Sequence, residues 1–222
     1  MSVFDMQAKE KGSGQFEPCP AGTHGARLVA VVDLGTHPYT YEGEEYRPRK
    51  VLLAWELVSC PDKAAGRNHV LGKEYNCTLG TGSHLRQMIE AALNRKLGVN
   101  ESFNPTTLIG EPFLLTVVHG ESAKGNTFAS INSVGQPPTG FAVPPHTLVP
   151  YTWEFDSGEQ FNDPGWLPFL YGKAPYTKIL EAEESKQQAA RHLAKQRQQT
   201  TAPAMTQSEA DRALANEDSI PF

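Results

Sequence analysis

One amphipathic helix pattern, "SHLRQMIEAALNRKLG" (83–98), stands among strand patterns, three before it and two after, and that order limits the folds open to the chain. Leu85, Met88, Ile89, Ala92 and Leu93 recur at helical spacing, with Ser83 placed to cap the start and Gly98 to end it. Upstream, "ARLVAVVDL" puts Leu28, Ala30, Val32 and Leu34 on one face and Arg27, Val29, Val31 and Asp33 on the other, a strand apolar on both faces at its middle. "RPRKVLLAWELVS" alternates Arg47, Arg49, Val51, Leu53, Trp55 and Leu57 against Lys50, Leu52, Ala54, Glu56 and Val58. Between these two, "THPYTYEGEEY" reads as a turn, so the pair is predicted to form a long hairpin. After the loop "CPDKAAGRN", the stretch "HVLGKEYNCTL" is a third strand. Beyond the helix, a short helical turn at "FNPTTLIG" leads to "EPFLLTVVHG" and "TFASINSV", joined at Lys124-Gly125-Asn126.

Five strands with a helix between the third and fourth is the order of the OB-fold, a small Greek-key barrel. A β-sandwich is the rival, but it usually offers seven or more strands and no interposed helix. The expected fold is therefore mainly β: a five-stranded OB-fold-like barrel with an inserted helix, a Pro/aromatic-rich arm, a C-terminal helix and disordered tails. Residues 1–22 are a polar lead-in, and 23–175 form the barrel domain with its arm. The arm, 135–175, holds eight of the 17 prolines together with Trp153 and Trp166, and is too apolar to float free, so it is predicted to wrap the barrel. Residues 176–199 form a helix with a thin stripe of Tyr176, Ile179, Leu180 and Leu193, suited to solvent or to an oligomer contact. Residues 200–222 are a flexible linker and an acidic tip.

Charge and motifs narrow the function. Thr23 to Val134 carries 11 basic and 11 acidic residues, leaving 9 and 14 elsewhere, so the net charge of −5 lies outside the expected core. A neutral core argues against a strongly electrostatic nucleic-acid binder. No apolar run approaches the roughly 18 residues of a membrane span, and the N-terminus lacks an apolar signal region, so a soluble intracellular protein is expected. Cys19, Cys60 and Cys77 form no CxxC pair and read as reduced thiols. Phosphate-loop, dinucleotide, zinc-protease and nucleophile-elbow motifs are missing; no enzyme, cofactor, metal or catalytic residue is expected. His119 reads as structural, and Asp33 with Glu56 reads as ordinary exposed carboxylates rather than a metal pair.

Holding a single strand without reading its sequence calls for aromatic faces and cations along one groove. The candidate DNA-binding residues are Arg27, Arg47, Arg49, Lys50, Trp55, Lys73, Tyr75, Lys124 and Phe128, although Trp55 and Phe128 also suit core positions. A second candidate site is the chain's last stretch, "ANEDSIPF". There Glu217 and Asp218 precede Ile220, Pro221 and Phe222, whose ring could fill a partner's apolar pocket while a partner cation binds the carboxylate.

"DSIPF" resembles the acidic tip of bacterial single-stranded-DNA-binding proteins, in which an OB-fold, a low-complexity linker and this tip follow in the same order. It departs from them in having fewer consecutive acids, with Ser219 where aspartate is usual, and in its long arm. "GARLVAVVDLGT", "RKVLLAWEL" and "EPFLLTVVHG…GNTFASINSV" instead resemble tailed-phage OB-fold single-stranded-DNA-binding proteins, over roughly residues 22–180. The resemblance implies a protein that coats and protects single-stranded DNA in phage replication, recombination and repair. It would work in the cytoplasm of an infected bacterium and recruit phage or host replication and recombination enzymes through its tip, with homo-oligomers open. The alternative is a phage structural or assembly protein with a protein-binding β-barrel.

Overall fold

A computed structural model describes residues 17–170 and 172–200. Contacts divide the chain into two compact units, Met1–Glu183 and Glu184–Phe222. Among the described residues are eight strands and two α-helices: β1 (Gly22–Thr36), β2 (Tyr39–Tyr41), β3 (Glu44–Tyr46), β4 (Arg49–Asp62), β5 (Arg67–Asn76), α1 (His84–Leu93), β6 (Pro112–Glu121), β7 (Thr127–Gly135), β8 (Tyr151–Trp153) and α2 (Pro175–Thr200). The main sheet runs β5-β4-β1-β6-β7, antiparallel throughout, with β8 added parallel to β1.

Strand β1 is shared. Its first half, Gly22 to Arg27, pairs with β6, and Arg27 to Thr36 pairs with β4. Breaks in register after Leu28 and Asp33 bend it, as bulges do. β8 takes up the edge of Ala30 to Val32 that β6 does not reach. Among the described residues, no strand ladder joins the end strands β5 and β7, so the sheet is not closed into a barrel by pairing. A single side-chain bond bridges them, Lys73 Nζ donating to the Ile131 carbonyl at 3.2 Å.

The two-faced pattern of β1 and β4 is satisfied by two apolar clusters. On one side Leu28, Val51, Leu53, Trp55 and Leu57 pack with Phe113 and Leu115 and with Leu85, Met88 and Ile89 of α1. On the other, Ala30, Val32, Leu34, Leu52 and Ala54 pack with Trp153, Phe161, Leu167 and Leu170 of the arm and with Ile179 of α2. The arm thus lies against the sheet, as its aromatic content predicts. Two glycines show how closely it sits. A Cβ at Gly72 would come within 2.5 Å of Pro168 Cγ and 2.9 Å of Leu52 Cδ1. One at Gly35 (φ 74°) would meet Ala182 and the Phe155 ring at 2.9 Å.

Ser83 caps α1 as expected, its hydroxyl accepting from the Arg86 N–H at 3.1 Å. The helix stops earlier than the Gly98 expectation, because Asn94 takes the left-handed conformation (φ 49°) and closes the helix. The predicted turn 36–46 is itself a small hairpin, β2–β3, and α2 extends the predicted helix by one residue at each end. In its first turns α2 buries Ile179 and Ala182; within the second unit Leu193 is exposed. No helix among the described residues is long and apolar enough to cross a membrane.

Gly72→Val should force Pro168 off the sheet and cost about 1–3 kcal/mol in urea unfolding. Limited proteolysis of the variant should cut within residues 151–170 faster than in the parent; an unchanged pattern would mean that the arm is held elsewhere.

Candidate nucleic-acid interface

The sequence-selected residues do not form one continuous groove. Trp55 is fully buried, its ring edge-on to Phe113 with centroids 6.1 Å apart. No base can reach it, which corrects the expectation of a stacking ring there. Tyr75 is likewise core, and burial pushes its hydroxyl pKa upward. Arg27 is a structural clamp: it donates to the carbonyls of Pro144 at 2.7 Å, Gly110 at 2.6 Å and Val143 at 2.5 Å, fixing the start of the arm.

Most of the remaining cations are already engaged. Arg47 pairs with Glu45 at 2.7 Å. Arg49 grips Asp33 through two guanidinium nitrogens and reaches Asp156 at 2.9 Å; the hydrogen bonds to Asp33 raise its pKa further. Lys50 lies 3.4 Å from Glu74, whose almost fully covered carboxylate is also paired with Lys178 from α2. Lys73 sits 5.8 Å over the Tyr75 ring. Lys124 is exposed in the β6–β7 turn, while Phe128, 44% exposed, lies across Gly120 on the neighbouring strand.

Three of the predicted residues do meet. Lys50, Lys73 and Tyr75 line a cavity of about 310 Å³ with Asn76, Ser83 and His84, where the end of β5 faces the start of α1. Next to it the chain turns out into the β2–β3 hairpin, anchored at its base by His37 N–H to the Pro48 carbonyl at 3.0 Å. Tyr39, Tyr41 and Tyr46 stand on this hairpin 47%, 58% and 43% exposed. Tyr39 and Tyr46 face each other across the pair and stack, centroids 5.4 Å apart and planes 17° apart; Tyr41 meets Tyr46 edge-on at 6.5 Å. Positive φ at Glu42 (51°) and Gly43 (84°) makes the two-residue turn. These tyrosines were legible as a period-two aromatic pattern flanking Glu-Gly, but the surrounding acids made the stretch read as a plain turn.

The two carboxylates weighed for a metal are both occupied by protein donors. Asp33 holds Arg49 and accepts from the Phe155 N–H at 3.3 Å. Glu56 is fully buried rather than exposed. It accepts from Asn68 Nδ2 at 2.6 Å, Thr147 Oγ1 at 2.6 Å, Thr147 N–H at 2.9 Å and Leu148 N–H at 3.0 Å. Burial alone would push its pKa up, but these donors outweigh burial and hold it below the ordinary 4.5. His119 is structural as expected, hydrogen-bonded through Nε2 to the Cys19 carbonyl at 2.8 Å. Cys19 and Cys60 are buried thiols with sulfurs 3.8 Å apart, and Cys77 is exposed. The expected partner-binding residues Glu217, Asp218, Ile220, Pro221 and Phe222 lie outside the described residues. No protein-family model and no curated protein matches the chain.

Glu56→Ala leaves four donors without their acceptor and should cost roughly 2–4 kcal/mol at neutral pH in urea unfolding. Because the folded pKa is depressed, the carboxylate's contribution is full above the ordinary value and is lost as pH falls through the folded one. The gap between parent and Glu56→Gln should accordingly narrow below about pH 4.5; a gap independent of pH would contradict the ionised nest.

Proposed function

We propose that the chain is a single-stranded-DNA-binding protein built on an open OB-type sheet, which coats the strand in phage replication and recombination without a catalytic centre of its own. The observation that carries this reading is the strand order β5-β4-β1-β6-β7 with α1 inserted between β5 and β6. An open sheet in this order supports the reading, since the five-stranded, partly open Greek-key fold takes oligonucleotides on its second and third strands and flanking hairpin loops. In this chain those strands are β4 and β5. The arm covers one of their faces at Leu52, Ala54 and Gly72, so the strand is assigned to the uncovered sheet end around Lys50 and Lys73 and to the projecting hairpins. The tip at 217–222 would bring partner enzymes to the coated strand, a role that rests on its resemblance to the bacterial tips.

The ion pairs of Arg47, Arg49 and Lys50 bear on how such binding would respond to salt. A cation already neutralised by a carboxylate displaces little condensed counterion when a phosphate arrives. Fluorescence titration of labelled oligo-dT and duplex DNA over a salt series should give strand-selective binding. The log-log slope, about −0.7 per phosphate contacted, should correspond to only a few contacts. Absence of binding to oligo-dT at low salt would overturn the reading in favour of a protein-binding assembly role, and preference for duplex would also overturn it.

A further inference from the structure

We propose that the β2–β3 hairpin is a base-stacking finger that accepts unpaired nucleobases on Tyr39, Tyr41 and Tyr46 and turns duplex DNA away with its acidic rim. This rests on the single-strand reading above and names the surface that performs it. The hairpin is a two-stranded sheet separate from the main one, and its three rings remain about half exposed. Register places them together on one face: Tyr39 lies opposite Tyr46, and Tyr41 lies opposite Glu44, while Thr40 and Glu45 point to the other face. The stacked Tyr39–Tyr46 pair has its planes within 17°, so it presents parallel outer faces at which a base can continue the stack.

Size distinguishes a base from a protein as the occupant. A specific protein interface needs about 800 Å² from each partner, more than the tyrosine face of two three-residue strands can supply. Two or three bases need only one ring face each.

Charge then selects the form of nucleic acid. From Tyr39 to Arg47 the hairpin carries Glu42, Glu44 and Glu45 against Arg47 alone, and Arg47 is paired with Glu45. A duplex presents phosphates outward and keeps its base faces stacked inside, so it brings charge to the acids and offers the rings nothing. A single strand can rotate its bases onto the rings and leave its phosphates on the far side, away from the carboxylates. The tyrosines supply attraction and the glutamates supply discrimination, which is how specificity is set by a repulsive element beside an attractive one.

The test compares the full chain with Tyr41→Ala, Tyr41→Phe and a Glu42→Gln/Glu44→Gln/Glu45→Gln triple variant. The readouts are anisotropy with labelled oligo-dT and with a labelled duplex at low and high salt, and light scattering for oligomeric state. The hairpin contributes nothing to either buried core, so thermal melts should be unchanged. Tyr41→Ala should weaken oligo-dT binding about 5- to 150-fold, equally at low and high salt, as expected for loss of one stacked base. Tyr41→Phe should bind like the parent, and the triple variant should gain duplex affinity. If the parent binds oligo-dT and Tyr41→Ala binds it equally well, the finger is wrong while the single-strand reading stands. If the parent does not bind oligo-dT, both fall. A change in oligomeric state with DNA binding intact would make the hairpin a protein contact and overturn the inference.

Discussion

Strands β1 and β4 are apolar on both faces, and a sheet core of that kind must be covered twice before it is stable in water. One cover comes from the curl of the sheet onto α1, which seats Leu85, Met88 and Ile89 against Leu53, Trp55 and Leu57. The other comes from the proline-rich arm and the start of α2, which lay Trp153, Phe161, Leu170 and Ile179 over Ala30, Val32 and Leu52. Each buried apolar side chain contributes about 1.5–3 kcal/mol relative to exposure, so neither cover is dispensable. The placement of the remaining parts follows. The arm must start near Arg27, where three carbonyls are gripped, and pass Glu56, where Thr147 and Leu148 are held by one buried carboxylate. The start of α2 passes over Gly35, where a Cβ would meet Ala182, and the arm passes over Gly72, where a Cβ would meet Pro168.

The same double cover redirects the functional surface. With the outward face of β4 and β5 occupied, the residues left for a ligand are those at the end of the sheet and on the two hairpins. Arg49 and Lys50 are paired with carboxylates and Lys73 is held by a backbone carbonyl, so the cations of the sheet end are engaged within the fold, although Lys73 keeps its charge. What remains exposed on the hairpins includes three tyrosines on one too small to have a core of its own, and Lys124 with Phe128 on the other. The proposed binding mode therefore depends on stacking more than on counterion release.

Much of the fold was legible in the sequence because it is encoded in periodicity. The long hairpin of β1 and β4, the capped helix and the β6–β7 turn all rest on local patterns that do not need the rest of the chain. The arm was legible from composition, since its tryptophans and phenylalanines require cover. The candidate site was read less well. Alternation puts Trp55 and Tyr75 on a strand face without saying which face points inward, and both are core. The basic residues were visible, but their partners were not, because Arg49 meets Asp33 and Asp156, and Lys50 meets Glu74, across distances in sequence that no local pattern spans.

By itself the sequence determined the order of elements, the two-sided apolar character of the central strands and the presence of an arm that had to pack. These depend on side-chain period and on the cost of leaving apolar surface in water. Only the tertiary structure decided which aromatic rings face solvent and which cations are neutralised. Both depend on long-range neighbours: Phe113 covers Trp55, whereas no core residue covers Tyr39, Tyr41 or Tyr46. Exposure and charge pairing are properties of the assembled surface, and the chain brings those neighbours together only when the helices and the arm pack onto the two faces of the sheet.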